Sequence, residues 1–368
     1  MSHLYGLSAR GQSIWLDAIS RELLKPDALP RMVLDDAITG VTSNPSIFAA
    51  AIMGSTDYDE SIKELAARGA STVEIYTALV TTDIKAACDA TRQVYNRSDG
   101  VDGYVSVEVS PDIAHDTEAT VAEAREWVER IDRPNLLIKV PATPAGVPAI
   151  RRLIAEGISV NVTLIFALDR YREVMEAYLS GLEGFLNDNP NASRIASVAS
   201  FFVSRVDTEV DKRLEAIGSG ALALRGKAAI ANARAAYGAF LETFAGDRWN
   251  ALASSGARLQ RPLWASTSTK NPAYSDVMYV EDLVADDTVN TIPLATIEAY
   301  QDHGDPDPNT FTTADIEDAV ETLAKLGSVG IDYDDVVQVL EDEGVAKFAN
   351  AYHELLDSIE KKRETLVG

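Results

Sequence analysis

Asp17, Thr42 with Asn44, Glu108, Lys139, Asn161 with Thr163, and Ser200 are polar residues set inside, or at the C-terminal ends of, short apolar runs. Lys139 is the sharpest case. In Leu136-Leu137-Ile138-Lys139-Val140-Pro141, strand alternation puts Leu137, Lys139 and Pro141 on one face and the other three residues on the opposite face. A run apolar on both faces reads as a buried strand of a parallel sheet. Lysine is almost never buried without a partner or a purpose. Desolvation disfavours the ammonium form, so an amine placed here becomes available as a nucleophile. A neutral amine in a protected pocket is what Schiff-base chemistry with a carbonyl compound requires. A strand lysine that snorkels to water is the plain alternative.

Other chemistries find less support. His3, His115, His303 and His353 fall in termini, helices or loops, with no spacing that builds a metal site and no Ser-His-Asp arrangement. No metal and no cofactor is expected. Gly218-Ser219-Gly220 followed by Leu224-Arg225-Gly226-Lys227 is a weak phosphate-loop lookalike, better read as a helix-entry loop. Cys88, the single cysteine, lies in a helical pattern as a small core residue and fits a reducing compartment.

A net charge of −24 argues against nucleic acid or an anionic membrane as partner. It also requires any anionic substrate to meet a local patch of donors set against the global field. The start, Met1-Ser2-His3-Leu4-Tyr5, has no basic and apolar leader pattern, and no apolar stretch reaches bilayer length. The expectation is a soluble, cytoplasmic protein. Its oligomeric state stays open between monomer and homodimer.

The elements that must position these residues follow in order. Strands are expected at Ser13–Ile19, Ala37–Thr42, Gly103–Val109, Leu136–Pro141, Gly157–Leu164, Arg194–Ser200, Pro262–Ser266 and Val289–Pro293. Helical patterns separate them. One, from about Ala49 to Asn96, has breaks at Gly54-Ser55-Thr56 and Gly69-Ala70-Ser71-Thr72; another, alanine-rich, runs from about Gly226 to Ala245. Short apolar strands alternating with helices point to a single (β/α)8 barrel over residues 1–368, with helical insertions and closing helices from about residue 294. A doubly wound sheet is disfavoured because no glycine-rich phosphate fingerprint follows an early strand. In a barrel the strand ends converge on one mouth, so the polar residues converge too. The acidic tail reads as a solvated face.

At this point the motifs resemble a known family. Asn135-Leu136-Leu137-Ile138-Lys139-Val140-Pro141-Ala142-Thr143 is similar to the Schiff-base strand of the transaldolases, and Thr42-Ser43-Asn44-Pro45-Ser46 to their Thr-x-Asn-Pro-Ser turn. Val107-Glu108-Val109, Asn161-Val162-Thr163-Leu164 and Ser200-Phe201-Phe202-Val203-Ser204-Arg205 match the family's later strands, and Ala265-Ser266 with Lys270-Asn271 its phosphate loop. Two departures stand out. Asp17 runs into Ala18-Ile19-Ser20 instead of Thr-Gly-Asp, and the loop carries Lys270 where arginine is more usual. Lysine binds phosphate as a point charge without the bidentate fork.

The resemblance implies a metal-free barrel enzyme of the pentose phosphate pathway that moves a dihydroxyacetone unit between sugar phosphates. In it Lys139 is the Schiff-base amine, Asp17 the general acid–base for carbon–carbon cleavage, and Glu108 with Thr163 a holder of a proton-shuttling water. Thr42, Asn44, Asn161, Ser200 and Phe202 line the substrate, and Arg205, Ser266 and Lys270 hold its phosphate. Two other readings remain: a fructose 6-phosphate aldolase-like lyase of the same superfamily, and a barrel that has lost catalysis. Related small aldolases carry glutamine and tyrosine where this chain has Glu108 and Phe202, which favours transfer.

Overall fold

A computed structural model describes residues 2–367. Eight parallel strands close into a barrel in sequence order, each pairing with the next and β8 returning to β1. The strands are β1 (Gln12–Leu16), β2 (Ile38–Val41), β3 (Val105–Glu108), β4 (Leu136–Pro141), β5 (Val160–Ile165), β6 (Ser197–Phe202), β7 (Gln260–Ala265) and β8 (Thr288–Ile292). Every residue of β3 through β8 is buried, as expected of strands covered by barrel side chains within and helices without.

Helix α1 (Leu4–Ala9) precedes β1, and α2 (Leu29–Asp35) leads into β2. Between β2 and β3 run α3 (Pro45–Met53), α4 (Asp59–Ala67) and α5 (Thr72–Arg97). Then α6 (Thr117–Ile131), α7 (Gly146–Ala155) and α8 (Leu168–Leu186) follow β3, β4 and β5 in turn. The β6–β7 connection holds α9 (Ser204–Ile217), α10 (Ala228–Thr243) and α11 (Asp247–Ser254); α12 (Met278–Asp282) precedes β8. The chain ends in α13 (Leu294–His303), α14 (Thr313–Ser328) and α15 (Tyr333–Val367).

The turn chemistry accounts for the breaks. Ser71 and Glu74 form a reciprocal capping box at the start of α5, directly after the Gly69 turn, where Gly69 has φ +80°. Asn44 caps α3 by accepting from the Ile47 N–H at 3.0 Å, with Pro45 in the first turn.

Strand limits differ from expectation in both directions, with β1, β7 and β8 beginning one or two residues early and β5 and β6 three residues late. The strands expected from Gly157 and Arg194 begin at Val160 and Ser197, because Gly157 (φ +81°) ends the turn after α7 and Ile195 sits in a turn whose N–H bonds Ala192. The first strand stops at Leu16, one residue before Asp17, yet the Asp17 N–H still bonds the Ile292 carbonyl at 3.0 Å. Closure of the barrel between its first and last strands thus fixes Asp17.

The acidic tail is not simply a solvated face. In α15, Val336, Leu340, Phe348, Tyr352, Leu355 and Ile359 are buried along one stripe, and the helix packs against α3, α4, α5, α9 and β5. Its exposed positions mix acids such as Asp342, Glu343, Glu354 and Asp357 with Lys347, His353 and Lys361. Among the described residues no helix is long and apolar enough to cross a membrane.

Candidate active site

The parallel register does most of the positioning. Glu108 of β3 pairs with Lys139 of β4, and Lys139 with Asn161 of β5, so three polar side chains stand side by side at one level of the barrel. Thr163 stands one level higher, opposite Pro141. There β5 breaks register between Val162 and Ile165, and Leu164 adopts φ 60°. A left-handed backbone at a leucine costs about 1–3 kcal/mol, a kind of strain that gathers at functional sites.

Lys139 is 5% exposed. Its Nζ donates to the Ser43 carbonyl at 3.3 Å and lies 3.7 Å from Glu108 Oε2, an ion pair longer than a hydrogen bond. Ser200, two residues beyond the Val198 that stands level with Asn161, donates to Asn161 Oδ1 at 2.7 Å, and Asn161 donates through Nδ2 to Ser106 Oγ at 2.9 Å.

Above this layer is a cavity of about 150 Å³, with Asp17, Thr42, Asn44, Lys139, Thr163, Ser200, Phe202, Arg205, Ser266 and Lys270 all on its wall. Glu108 and Asn161 are not on that wall but stand beside Lys139 in the layer below. Asn44 Oδ1 accepts as the α3 cap, which fixes the side chain and leaves both amide N–H groups free to donate to a ligand. Ser266 has φ 58°, and its hydroxyl pairs with that of Ser204 at 2.9 Å. Lys270 is exposed at the rim, donating to Ser268 Oγ at 2.5 Å.

Several buried polar atoms make no hydrogen bond to another group among the described residues: both carboxylate oxygens of Glu108, Thr163 Oγ1 and Arg205 Nη1. Buried polar groups are normally satisfied, so a cluster of such atoms around one cavity is the mark of a ligand site.

Residues 14–359 match the Transaldolase/Fructose-6-phosphate aldolase family. The chain is 55% identical over 357 residues to a protein named transaldolase from Mycolicibacterium smegmatis, covering 97% of this chain and 96% of that one. It is 53% identical over 361 residues to the transaldolase of Saccharopolyspora erythraea, covering 98% of each. It is also 53% identical over 358 residues to the transaldolase of Acidothermus cellulolyticus, covering 97% of this chain and 96% of the other. The chain belongs to the transaldolase/fructose-6-phosphate aldolase family.

Burial acts in the same direction on the two carboxylates of this family member. Burial pushes the Glu108 carboxyl up to about 7, with the Lys139 charge pulling the other way. Burial also raises Asp17, against the opposing pull of Lys139 and then Lys270. Burial lowers Arg205, and partial desolvation at the cavity rim, with the nearby Arg205 charge, lowers Lys270. The four histidines lie off the cavity wall, and among the described residues no group of three or more His, Cys, Asp or Glu could hold a metal ion.

Three contributors escaped the sequence reading. The Ser43 carbonyl that accepts from Lys139 is a backbone group, invisible to residue type. Ser106 is a small residue in an apolar strand and became meaningful only through Asn161. Phe348 of α15 lies on the cavity wall, with Lys139 Nζ 5.7 Å and Arg205 Cζ 5.8 Å from its ring centroid. The apolar stripe of α15 was the available signal for it.

Proposed function

We propose that the chain is a transaldolase. It transfers a dihydroxyacetone unit from a ketose phosphate, sedoheptulose 7-phosphate or fructose 6-phosphate, to an aldose phosphate acceptor, glyceraldehyde 3-phosphate or erythrose 4-phosphate. The observation that carries this reading is the buried Lys139 amine, flanked in strand register by Glu108 and sharing a cavity with Asp17.

Lys139 attacks the ketose carbonyl. Glu108, titrating near neutrality, both gives and takes protons as the carbinolamine forms and dehydrates, with Thr163 holding the water that carries them. The iminium is an electron sink. Asp17, made more basic by burial, removes the C4 hydroxyl proton, the C3–C4 bond breaks, and an aldose phosphate leaves. The retained three-carbon enamine then adds to the acceptor aldehyde while Asp17 returns the proton. Asn44, Asn161 and Ser200 hold the retained hydroxyls within a site that Thr42 and Phe202 complete. Arg205, Ser266 and Lys270 take the phosphate.

The test is borohydride reduction with fructose 6-phosphate, followed by peptide mapping. The adduct is expected on Lys139 and lost in Lys139→Met. Asp17→Ala is expected to accumulate a six-carbon adduct, because imine formation precedes the step it blocks. A label on another lysine sinks the assignment.

A further inference from the structure

Helix α15 is held down at both ends. Near its start, Asp335 pairs with Arg213 of α9 at 2.6 Å. Near its end, Lys362 donates to the Ile52 and Ser55 carbonyls at 2.9 and 2.6 Å and pairs with Asp59 at 2.7 Å. Between these anchors is Gly344. A Cβ there would stand 3.0 Å from Leu164 Cδ2 and 3.5 Å from Phe166 Cε2, so the missing side chain lets the helix settle on the strained end of β5. One turn later Phe348 is delivered onto the cavity wall, only 6% exposed. Its ring covers the Lys139 amine, and with Phe202, whose centroid is 5.0 Å from Arg205 Cζ, it encloses the guanidinium.

We infer that Phe348 is a specificity-determining residue: it keeps solvent from the three-carbon enamine on Lys139 and so favours transfer over release. This rests on the Schiff-base reading above. In transfer, the enamine carbon forms its bond to the acceptor aldehyde, whose oxygen takes the proton from Asp17. In release, the same carbon takes a proton from water, and protonated Asp17 neutralises the hydroxide left behind. The resulting iminium then adds back the water expelled when it formed, giving free dihydroxyacetone and the amine. The balance is ketose phosphate to aldose phosphate plus dihydroxyacetone. An apolar ring supplies no proton and excludes the water that release requires. Gly344 is a positioning residue, setting how deep that ring sits.

The experiment measures two products in each variant: dihydroxyacetone from fructose 6-phosphate alone, and sedoheptulose 7-phosphate when erythrose 4-phosphate is added. Borohydride trapping on Lys139 is run in the same samples. Phe348→Ala should keep the adduct and raise the ratio of release to transfer about tenfold or more. Phe348→Leu, still apolar but smaller, should give an intermediate ratio, and decides the matter if the alanine variant does not fold. Gly344→Ala should move the ratio in the same direction with Phe348 intact. An unchanged ratio in Phe348→Leu and Phe348→Ala, with adduct present and both products falling together, overturns the inference alone. Absence of adduct in the unaltered enzyme overturns the Schiff-base reading as well.

Discussion

Glu108, Lys139 and Asn161 stand together because parallel register puts β3, β4 and β5 at one level, whereas Arg205, Ser266 and Lys270 reach the same cavity from the start of α9 and the loop after β7. The first group is buried, and its opposite charges are 3.7 Å apart. The second is graded in exposure, from partly buried Arg205 to exposed Lys270, with no carboxylate paired to either among the described residues. The difference suits the two kinds of work proposed for these groups. Proton transfer at a forming imine would tolerate little positional error, a demand that groups on rigid strands meet. Holding an anion in a chain of net charge −24 needs unneutralised donors, which a loop can present.

Breaking the strand side should produce the largest effects. Glu108→Gln is expected to slow adduct formation on Lys139 by about 10²–10⁴-fold, read as the single-turnover rate of borohydride-trappable label. The same variant tests the environment. Glu108 titrates near 7 when folded against 4.5 as its ordinary value, so the folded state holds this proton more tightly. The stability it contributes is fully present below about pH 4.5 and is lost as pH rises through 7. From pH 5 to pH 8, denaturant unfolding should therefore shift in favour of Glu108→Gln over the unaltered protein, by up to about 3 kcal/mol. A pH-independent difference between the two proteins would mean the carboxyl is solvated.

The loop side should answer more gently. Arg205→Ala is expected to raise KM for phosphorylated ketoses about tenfold or more, with far less change for unphosphorylated ones. Equal losses for both would point to packing between Phe202 and Phe348 instead. Lys270→Ala is the smallest effect, about two- to fivefold in KM and shrinking with added salt, because an exposed ammonium is screened. If it costs as much as Arg205→Ala, the contrast between a buried and an exposed donor fails.

The same contrast governs what could be read from residues alone. Lys139 and Glu108 were legible because one charge in an apolar strand is an anomaly visible at a single position. Their adjacency was not, since it depends on how long helices set the register of neighbouring strands. Arg205 and Lys270 were legible only as parts of motifs; nothing local says that α9 starts at the barrel mouth. Phe348 was hidden for the opposite reason, since an apolar residue in an amphipathic helix looks like ordinary core. The capped breaks at Gly54 and Gly69 were legible because turn chemistry is local, whereas the short α1 carried too few residues to show a period.

The hydrogen bond from Asp17 to Ile292 has a consequence for how the protein is made. A chain elongating from its N-terminus has all the residues of the Glu108–Lys139–Asn161 layer once β5 is synthesised. Asp17, among the first residues to be translated, must wait for β8 to be held in place. Phe348 comes later still. On the proposed function, the reactive amine is thus encoded well before the groups that would give it direction and shelter, and nascent or C-terminally clipped chains would carry the nucleophile without its full control.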